Sequence, residues 1–522
     1  MRFLPVRAGA LLVELDGLDE VLALMASLEN DPLEGIVELV PAARTVMVKF
    51  DPHRFHSDEL IADLSLRNLS GLVWRHAGPL VEIPVRYDGE DLQEVADLVG
   101  VTPQEVVRRH TACEYVVAFT GFAPGFAYMV SPDANLVVPR RKTPRTRVPA
   151  GAVALADTFS GVYPKDSPGG WQLIGTTDLP MFDLDREPAA LLQPGSRVRF
   201  IDISTTRSVF KPTAKPARIA KGPTKRAATI EVISTLFPLT FQDEGRPGLS
   251  AQGVSVSGAA DKASYRIANR LVGNPPGTPA IEITLGEVRF KVKGHVVAAL
   301  TGAPLLASIE HSDGSKSSVG RYEVMVLADG DVVSLGPPKR GLRSYLAIRG
   351  GFDVMPVMGS ASRDVLAQIG PLPLVAGAEI RILPAPRSAT VSAGEGEPFL
   401  MPAVGETARL DVSLGPRDGW FAKDSIGRFL EQEWTVSPRS SRIGLRLQGE
   451  PLAYREEREL PSEATLPGAI QIPRDGLPVV FLTDHPVTGG YPVIANIASH
   501  HLDLAGQLPP GSRVKFSVFP QK

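Results

Sequence analysis

The sequence predicts a mainly β protein with a small α+β domain at its N-terminus. Three observations predict it. The 522 residues include 49 glycines and 47 prolines, and proline is disfavoured inside helices and central strands, so many short strands joined by tight turns are expected. Strand and helix patterns alternate only over about the first eighty residues. And three landmarks occur twice in the same order. "VPAGAVAL" (148–155), "SPGGW" (167–171) and "QPGSRVRF" (193–200) are answered by "LPGAIQIP" (466–473), "TGGYP" (488–492) and "PPGSRVKF" (509–516). A repeat of three landmarks at similar spacing is the duplication of a whole domain. Barrels, which hide sheet edges by closure, are the expected form.

Taken in order, residues 1–80 form the α+β unit. Val21, Leu22, Met25 and Leu28 share one helical face, Val46, Val48 and Phe50 alternate as in a half-buried strand, and Ser57 opens a second helix with Leu60, Ile61 and Leu64 inward. Residues 81–206 carry short strands and Pro/Gly turns. The stretch 207–228 is a basic, proline-rich linker: its "KPTAKPARIAKGPTKR" holds six basic residues, three prolines and no acid, and reads as a tether rather than a nucleic-acid arm. Residues 229–390 form a further barrel-like domain with one helix, "KASYRIANRLVG", stopped by Gly273. Residues 391–522 form the last, after a soft boundary at 387–398. "ADGDVVSLG" (328–336) reads as a weaker third copy of the final strand.

Net charge is −3, which advertises neither nucleic acid nor an anionic membrane. The single Cys113 excludes an internal disulfide, reads as a buried small residue, and fits a reducing cytoplasm. No secretory leader and no eighteen-residue apolar run is seen.

The Gly-Gly pairs Gly169–Gly170 and Gly489–Gly490 let backbone approach a ligand, and their N–H groups can converge on a carboxylate or phosphate. Trp171 and Tyr491 would then offer a flat wall; the alternative is a hairpin turn with a core aromatic. Phe122, Phe126 and Tyr128 lie within seven residues of "FTGFAPGFAYM" and suit either an aromatic pocket or a core plug. "RRKTPRTRVP" (140–149), with Arg145, suits bidentate anion recognition or a solvated turn. In "TDHPVTGGYP", His485 is a candidate general base beside Asp484 and Thr488, although adjacent residues on extended chain point to opposite sides, so no Asp–His dyad is implied. "SPRSSRIGLRL" offers Ser440 and Arg442, and Glu463 and Gln471 flank the duplicated "PGAIQIP". Adjacent His500 and His501 make a poor metal site, and no metal is expected. Phosphate-loop, HExxH, CxxC, amidase and biotin-carrying motifs are missing from the sequence.

"RHTACEYVVAFTGFAPGFAYM" and "VPRRKTPRTRVPAGAVALADTFSGVYPKDSPGGWQLIG" resemble allophanate hydrolase subunit one, also known as the B-type subunit of bacterial 5-oxoprolinase. "TFQDEGRPGLSAQGVSVSGAADKASYRIANRLVGNPPGTPAIEIT", "SYLAIRGGFDV", "SSRIGLRLQGEPL" and "PGAIQIPRDGLPVVFLTDHPVTGGYP" resemble subunit two, the C-type subunit of that enzyme. The chain is thus similar to a fusion of the two over nearly its whole length. The resemblance implies tandem cyclophilin-like β-barrels and a site at the junction of the two halves. It implies an ATP-dependent amide- or lactam-processing component, a 5-oxoprolinase working with a third, separate subunit that shares the ATP. The alternatives it brings are a carboxyltransferase taking carboxyl from carboxybiotin on a partner to urea or a urea-like amide, and a non-catalytic regulator of a histidine kinase. On the first reading the Gly-Gly amides with Arg145 or Arg442 hold anions, Phe122, Phe126 and Trp171 form the wall, and His485 or Glu463 moves protons, with Asp484 and Tyr491 completing the catalytic set. No covalent cofactor is expected, the setting is cytoplasmic, and a homo-oligomer stays open. Three positions depart from the family pattern: Thr176 and Ala361 replace arginines, and Ala260 replaces the methionine of the family's Gly-Ala-Met-Asp.

Overall fold

The computed structural model describes residues 1–72, 78–131, 134–204, 228–385, 390–392, 394–456 and 458–519. The tether expected at 207–228 lies, but for Ala228, outside them, as does part of the 387–398 boundary. The fold is mainly β, and the expected tandem barrels are present. No helix among the described residues is long and apolar enough to cross a membrane.

The N-terminal unit is an antiparallel sheet in the order Arg2–Arg7, Ala10–Glu14, Thr45–Phe50, Ile36–Pro41. Its helices, Leu18–Asn30 and Ser57–Leu66, set Val21, Leu24, Leu28, Leu60 and Leu64 against Val13, Val46, Val48 and Phe50. The alternation predicted one wet face on the strand Thr45–Phe50. Both faces are covered instead: Leu4, Val6, Leu12, Val40 and Met47 pack on Ala464, Leu466 and Val487, far along the chain.

The duplication is a duplication of topology. The first barrel runs Gln172–Thr176, Ala152–Ala156, Phe159–Val162, Ala127–Val130, Tyr115–Thr120, Arg197–Asp202, Leu80–Val85, and a bridge between Arg86 and Thr176 brings its ends together. The closed second barrel runs Val493–Ile497, Ala469–Gln471, Val479–Phe481, Gly444–Gln448, Trp434–Val436, Arg513–Val518, Thr407–Leu414. Each "GSRV" strand lies parallel to the first strand of its barrel. In each barrel the Gly-Gly segment forms a two-stranded ribbon outside the main sheet, Ser167–Gly169 with Arg145–Val148 and Thr488–Gly489 with Glu463–Ala464. Cys113, expected to be buried, is half-buried at the end of the helix Pro103–Ala112.

Between the barrels, residues 228–385 build two sheets, of six and five strands, over a shared core that includes Val232, Phe290, Val333, Ile281, Leu300 and Leu346. The strand Val332–Leu335 is antiparallel to both neighbours, so it does not repeat the parallel pairing of the final barrel strands; the third copy is not seen. The helix Lys262–Val272 is capped as its sequence predicts: the Asp261 carboxylate accepts from the Ser264 N–H at 2.9 Å, and Gly273 takes the left-handed C-terminal position.

Candidate functional site

The loop 121–126 of the first barrel is inserted into the second half of the chain. The Thr120 hydroxyl donates to the Ser250 carbonyl at 3.0 Å, the Gly125 N–H to the Gln252 carbonyl at 3.0 Å, and the Phe122 N–H to Thr488 Oγ1 at 3.0 Å. Gly121 is required here, because a Cβ would stand 2.1 Å from Thr488 Oγ1. Phe122 itself holds φ 61°, a strained value for a residue with a side chain. Close by, Tyr128 Oη lies 3.4 Å from Ser462 Oγ. The two readings of the aromatic run resolve unequally. Phe126, Tyr128 and Trp171 are buried edge-on among one another, with centroids 5.1–5.5 Å apart, and act as a plug; Phe122 keeps a partly open face.

The first glycine of each pair serves packing. Gly169 abuts the Tyr163 hydroxyl and Gly489 the Gln471 amide, where a Cβ would come within 2.2 and 2.5 Å. Gln471 in turn donates to the Tyr491 carbonyl at 3.0 Å and steadies that ribbon. The second glycines differ. The Gly170 carbonyl accepts from the Arg141 N–H at 2.8 Å, whereas Gly490 faces looser space with the Arg140 guanidinium beside it, 3.8 Å from where a Cβ would stand. Tyr491 is 45% exposed, at the rim rather than in a wall.

Several candidates are committed elsewhere. Arg145 donates to Asp91 at 2.7 Å and Glu90 at 3.2 Å. Ser440 lies in a turn, its hydroxyl accepting from the Arg446 N–H at 3.0 Å. Glu463 is buried against Arg417, which also reaches Glu14 of the N-terminal unit at 2.7 Å; burial pushes the Glu463 carboxyl up even against that partner. Asp484 and His485 do point to opposite sides. His485 turns to Thr465 and the Pro486 carbonyl, 2.7 Å from Nδ1, which makes Nδ1 the donor; burial pushes the imidazole down to about 4, so it is neutral at pH 7.

Asp484 turns the other way, into a buried layer of charge. It is fully buried and accepts from Arg442 Nε at 3.0 Å, Ser257 Oγ at 2.6 Å and the Val365 N–H at 2.9 Å. Arg442 also reaches Glu282 at 2.6 Å, and Arg343 approaches the same carboxylate at 3.4 Å. Burial alone would raise Glu282, but Arg442 and Arg343 more than offset it and hold its carboxyl low. Ser257, at φ 56°, is a second strained residue.

Three residues of this layer escaped the sequence reading. Lys165 of "YPKDSPGGW" crosses from the first half to the Leu366 carbonyl. Arg246 of "QDEGRPG" is 2% exposed, donates to the Ser362 carbonyl, and leaves Nε and Nη1 without partners. Asp364 lies beside both, pushed up to about 6 by burial and by Asp484. The available signal was a charged residue next to a Gly/Pro turn inside each recognisable stretch. As for the departures, Thr176 bonds Asp88 at 2.8 Å where the barrel ends meet, the Ala260 N–H donates to Glu282 at 3.2 Å, and the Ala361 N–H to Asp243 at 2.7 Å. Asp411, His500 and His501 come close enough together to hold a metal ion, but His501 Nδ1 already accepts from the Asp411 N–H at 2.8 Å.

Two family models match the chain: carboxyltransferase domain, subdomains C and D, over residues 1–192, and carboxyltransferase domain, subdomains A and B, over residues 252–518. Residues of the second half are 35% identical to the C-type subunit of 5-oxoprolinase from Escherichia coli over 290 residues, 55% of this chain and 90% of that protein. The first half is 37% identical to the B-type subunit of 5-oxoprolinase from Bacillus subtilis over 197 residues, 35% of this chain and 82% of that protein. The crystal structure of TTHA0988 superposes with a TM-score of 0.81 at 32% identity, covering 97% of this chain and 99% of that one.

Proposed function

Because the chain belongs to the carboxyltransferase-domain family, with subdomains C and D ahead of A and B in one polypeptide, we propose that it is the fused B-and-C-type component of an ATP-dependent 5-oxoprolinase. On this reading it opens the 5-oxoproline lactam to glutamate in the cytoplasm, together with a separate subunit that handles nucleotide. The observation that supports the proposal is the junction: the Phe122 N–H bonds Thr488 and the Tyr128 hydroxyl lies near Ser462, so residues of both halves meet there. Fusion keeps the two in a fixed ratio.

A lactam is resonance-stabilised, and water alone opens it slowly. Activation of its oxygen at the expense of ATP makes the carbonyl a better electrophile. The residues of this chain would then bind the activated ring, exclude bulk water and move protons. Phe122 supplies the open aromatic face, Arg140 and the Gly490 backbone lie at the mouth, and Tyr491 lies at the rim. Asp364, its carboxyl pushed up by burial and by Asp484, is the candidate for proton exchange. His485, neutral and bonded to its own loop, positions the Gly-Gly ribbon. The test is glutamate release from 5-oxoproline by the full chain with its co-purifying partner. ATP-dependent release supports the proposal; none, with a biotin-bearing partner, overturns it.

The family description favours one other reading, carboxyl transfer from carboxybiotin on a partner to a urea-like acceptor. A biotinylated partner together with carboxylation of the acceptor would select it.

A further inference from the structure

A serine becomes a nucleophile when a histidine accepts its proton and an acid fixes that histidine, whatever the fold that holds them. Three residues of the region between the barrels are arranged in this way. Ser317 Oγ lies 2.9 Å from His311 Nε2, and His311 Nδ1 lies 3.3 Å from Asp331 Oδ2. Chemistry assigns the protons. A carboxylate only accepts, so Nδ1 carries the hydrogen and Nε2 is left to accept from the Ser317 hydroxyl. Asp331 is 1% exposed and firmly held. Its N–H donates to the Ala328 carbonyl at 3.2 Å, its carbonyl accepts from the Val292 N–H at 2.9 Å, and Oδ2 accepts from the Ala328 N–H at 2.9 Å. Its Oδ1 has no partner among the described residues, and His311 is the one group there that can ion-pair with it. A carboxylate so placed stabilises an imidazolium as it forms.

Ser317 is exposed and His311 half-buried. Ser317 lies on Lys316–Ser318, the edge strand of the six-stranded sheet, which pairs only with Ala307–Glu310. The His311 N–H donates to the Ser315 carbonyl and the Val319 N–H to the Ala307 carbonyl, so the odd-numbered N–H groups of this hairpin face inward. Those of Lys316 and Ser318 then face the open edge. The Ser318 N–H, next after the nucleophile, is thereby a donor for an oxyanion. Asp313 does not compete for the histidine: it accepts from the Ser315 N–H and hydroxyl at 2.8 and 2.6 Å. We propose that Ser317, His311 and Asp331 form a second reactive site, which hydrolyses small carboxylic esters. Ser317 Oγ bonds to the ester carbonyl carbon as its proton passes to His311 Nε2. The carbon–oxygen bond to the alcohol then breaks, and the alcohol leaves with that proton. Water repeats the sequence: its proton goes to Nε2, its oxygen bonds to the acyl carbon, and Ser317 leaves and takes the proton back. On an exposed edge the acyl group is held by the nucleophile and the oxyanion donor alone, which suits activated, unhindered esters rather than amides.

The test is the full chain with 4-nitrophenyl acetate, following release of 4-nitrophenol and of acetate, with the acetyl group located by peptide mass spectrometry after acid quenching. The expected result is a transient acetyl group on Ser317. Ser317→Ala and His311→Ala should each lower the rate at least about 100-fold, the low end of what a positioned general base contributes. Asp331→Asn should lower it as well, because an amide can donate to Nδ1 and so reverse the tautomer. If Asp331→Asn, at a buried position, does not fold, the two hairpin variants carry the test. Acetyl groups on lysines alone, an unchanged rate in Ser317→Ala, or Ser317 acetylated as fast in His311→Ala as in the parent overturns the site. Acetyl-Ser317 that persists without release of acetate overturns the hydrolysis.

Discussion

The two barrels share one strand order and one ribbon, yet they use the ribbon differently. In the first barrel, Arg145 and Arg141 tie the ribbon and its neighbouring loop to Asp91 and to Glu90 and Glu94 near the protein surface. In the second, Glu463 of the ribbon is buried on Arg417, and Arg417 reaches across to Glu14 of the N-terminal unit. The interior differs in the same way. The phenylalanine of each duplicated "GSRV" strand stacks on a helix residue, but Phe200 receives His110 at 4.1 Å and Phe516 receives Phe429 at 4.6 Å. Duplication has preserved what the backbone and turn glycines specify. The side chains that join one domain to another have diverged, because each barrel meets different neighbours.

The strongest way to break this comparison is to cut both ribbons. Arg417→Ala leaves the buried Glu463 carboxylate without its partner, while Glu14 keeps Arg2, and should cost about 3–5 kcal/mol in urea unfolding. Arg145→Ala leaves Asp91 with Arg141 and the Leu173 N–H, and about 1 kcal/mol is expected. Equal costs would remove the distinction between a ribbon that joins domains and one that does not.

Gly121→Ala comes next. Its methyl would lie 2.1 Å from Thr488 Oγ1 and 2.8 Å from Thr488 Cβ, so rotating the threonine gives no relief. Overpacking of this kind costs about 1–3 kcal/mol, and the displaced loop should lower turnover more than stability. Thr488→Gly in the same chain should restore stability in part; no loss in the single variant would show that the halves are not pressed together here.

Swapping the barrel interiors sharpens the comparison further. His110 bonds Tyr87 Oη at 2.7 Å and Ser160 Oγ at 2.9 Å, so His110→Phe strands two hydroxyls and should cost about 1–3 kcal/mol. Adding Tyr87→Phe and Ser160→Ala should recover most of it. Burial pushes His110 down to about 3 from the ordinary 6.5, so the unfolded chain binds the proton first. The parent's stability from this group is complete above pH 6.5 and is lost as the pH falls toward 3. Urea midpoints across that range should fall more steeply in the parent than in the triple variant. Last and smallest, Tyr491→Phe changes an exposed side chain and should shift stability by less than about 0.5 kcal/mol.

The legibility of the candidate site follows the range of the interactions involved. The Asp261 cap, the Gly273 stop and the repeated "GSRV" strands are fixed by contacts within a few residues, so they can be read directly. The opposite facing of Asp484 and His485 was readable for the same reason, since it follows from extended backbone. Composition cannot show that Asp91, more than fifty residues earlier, folds against Arg145 and takes its guanidinium. Lys165 and Arg246 lie in quoted motifs, yet nothing local distinguishes a solvated cation from one held by the backbone carbonyls of a distant segment.

The sequence by itself determined a mainly β chain, its duplicated barrels, the small N-terminal α+β unit and the kinship of each half. These rest on turn chemistry, periodicity and motif order, which act over short distances along the chain. Tertiary structure alone decided that the N-terminal sheet is buried on both faces, that Glu463 is tied to Arg417, and that Phe122 meets Thr488. It also decided that two cations from opposite halves converge on the segment 362–366. Burial and charge pairing are properties of the folded surface around a residue, and that surface is assembled from segments hundreds of residues apart.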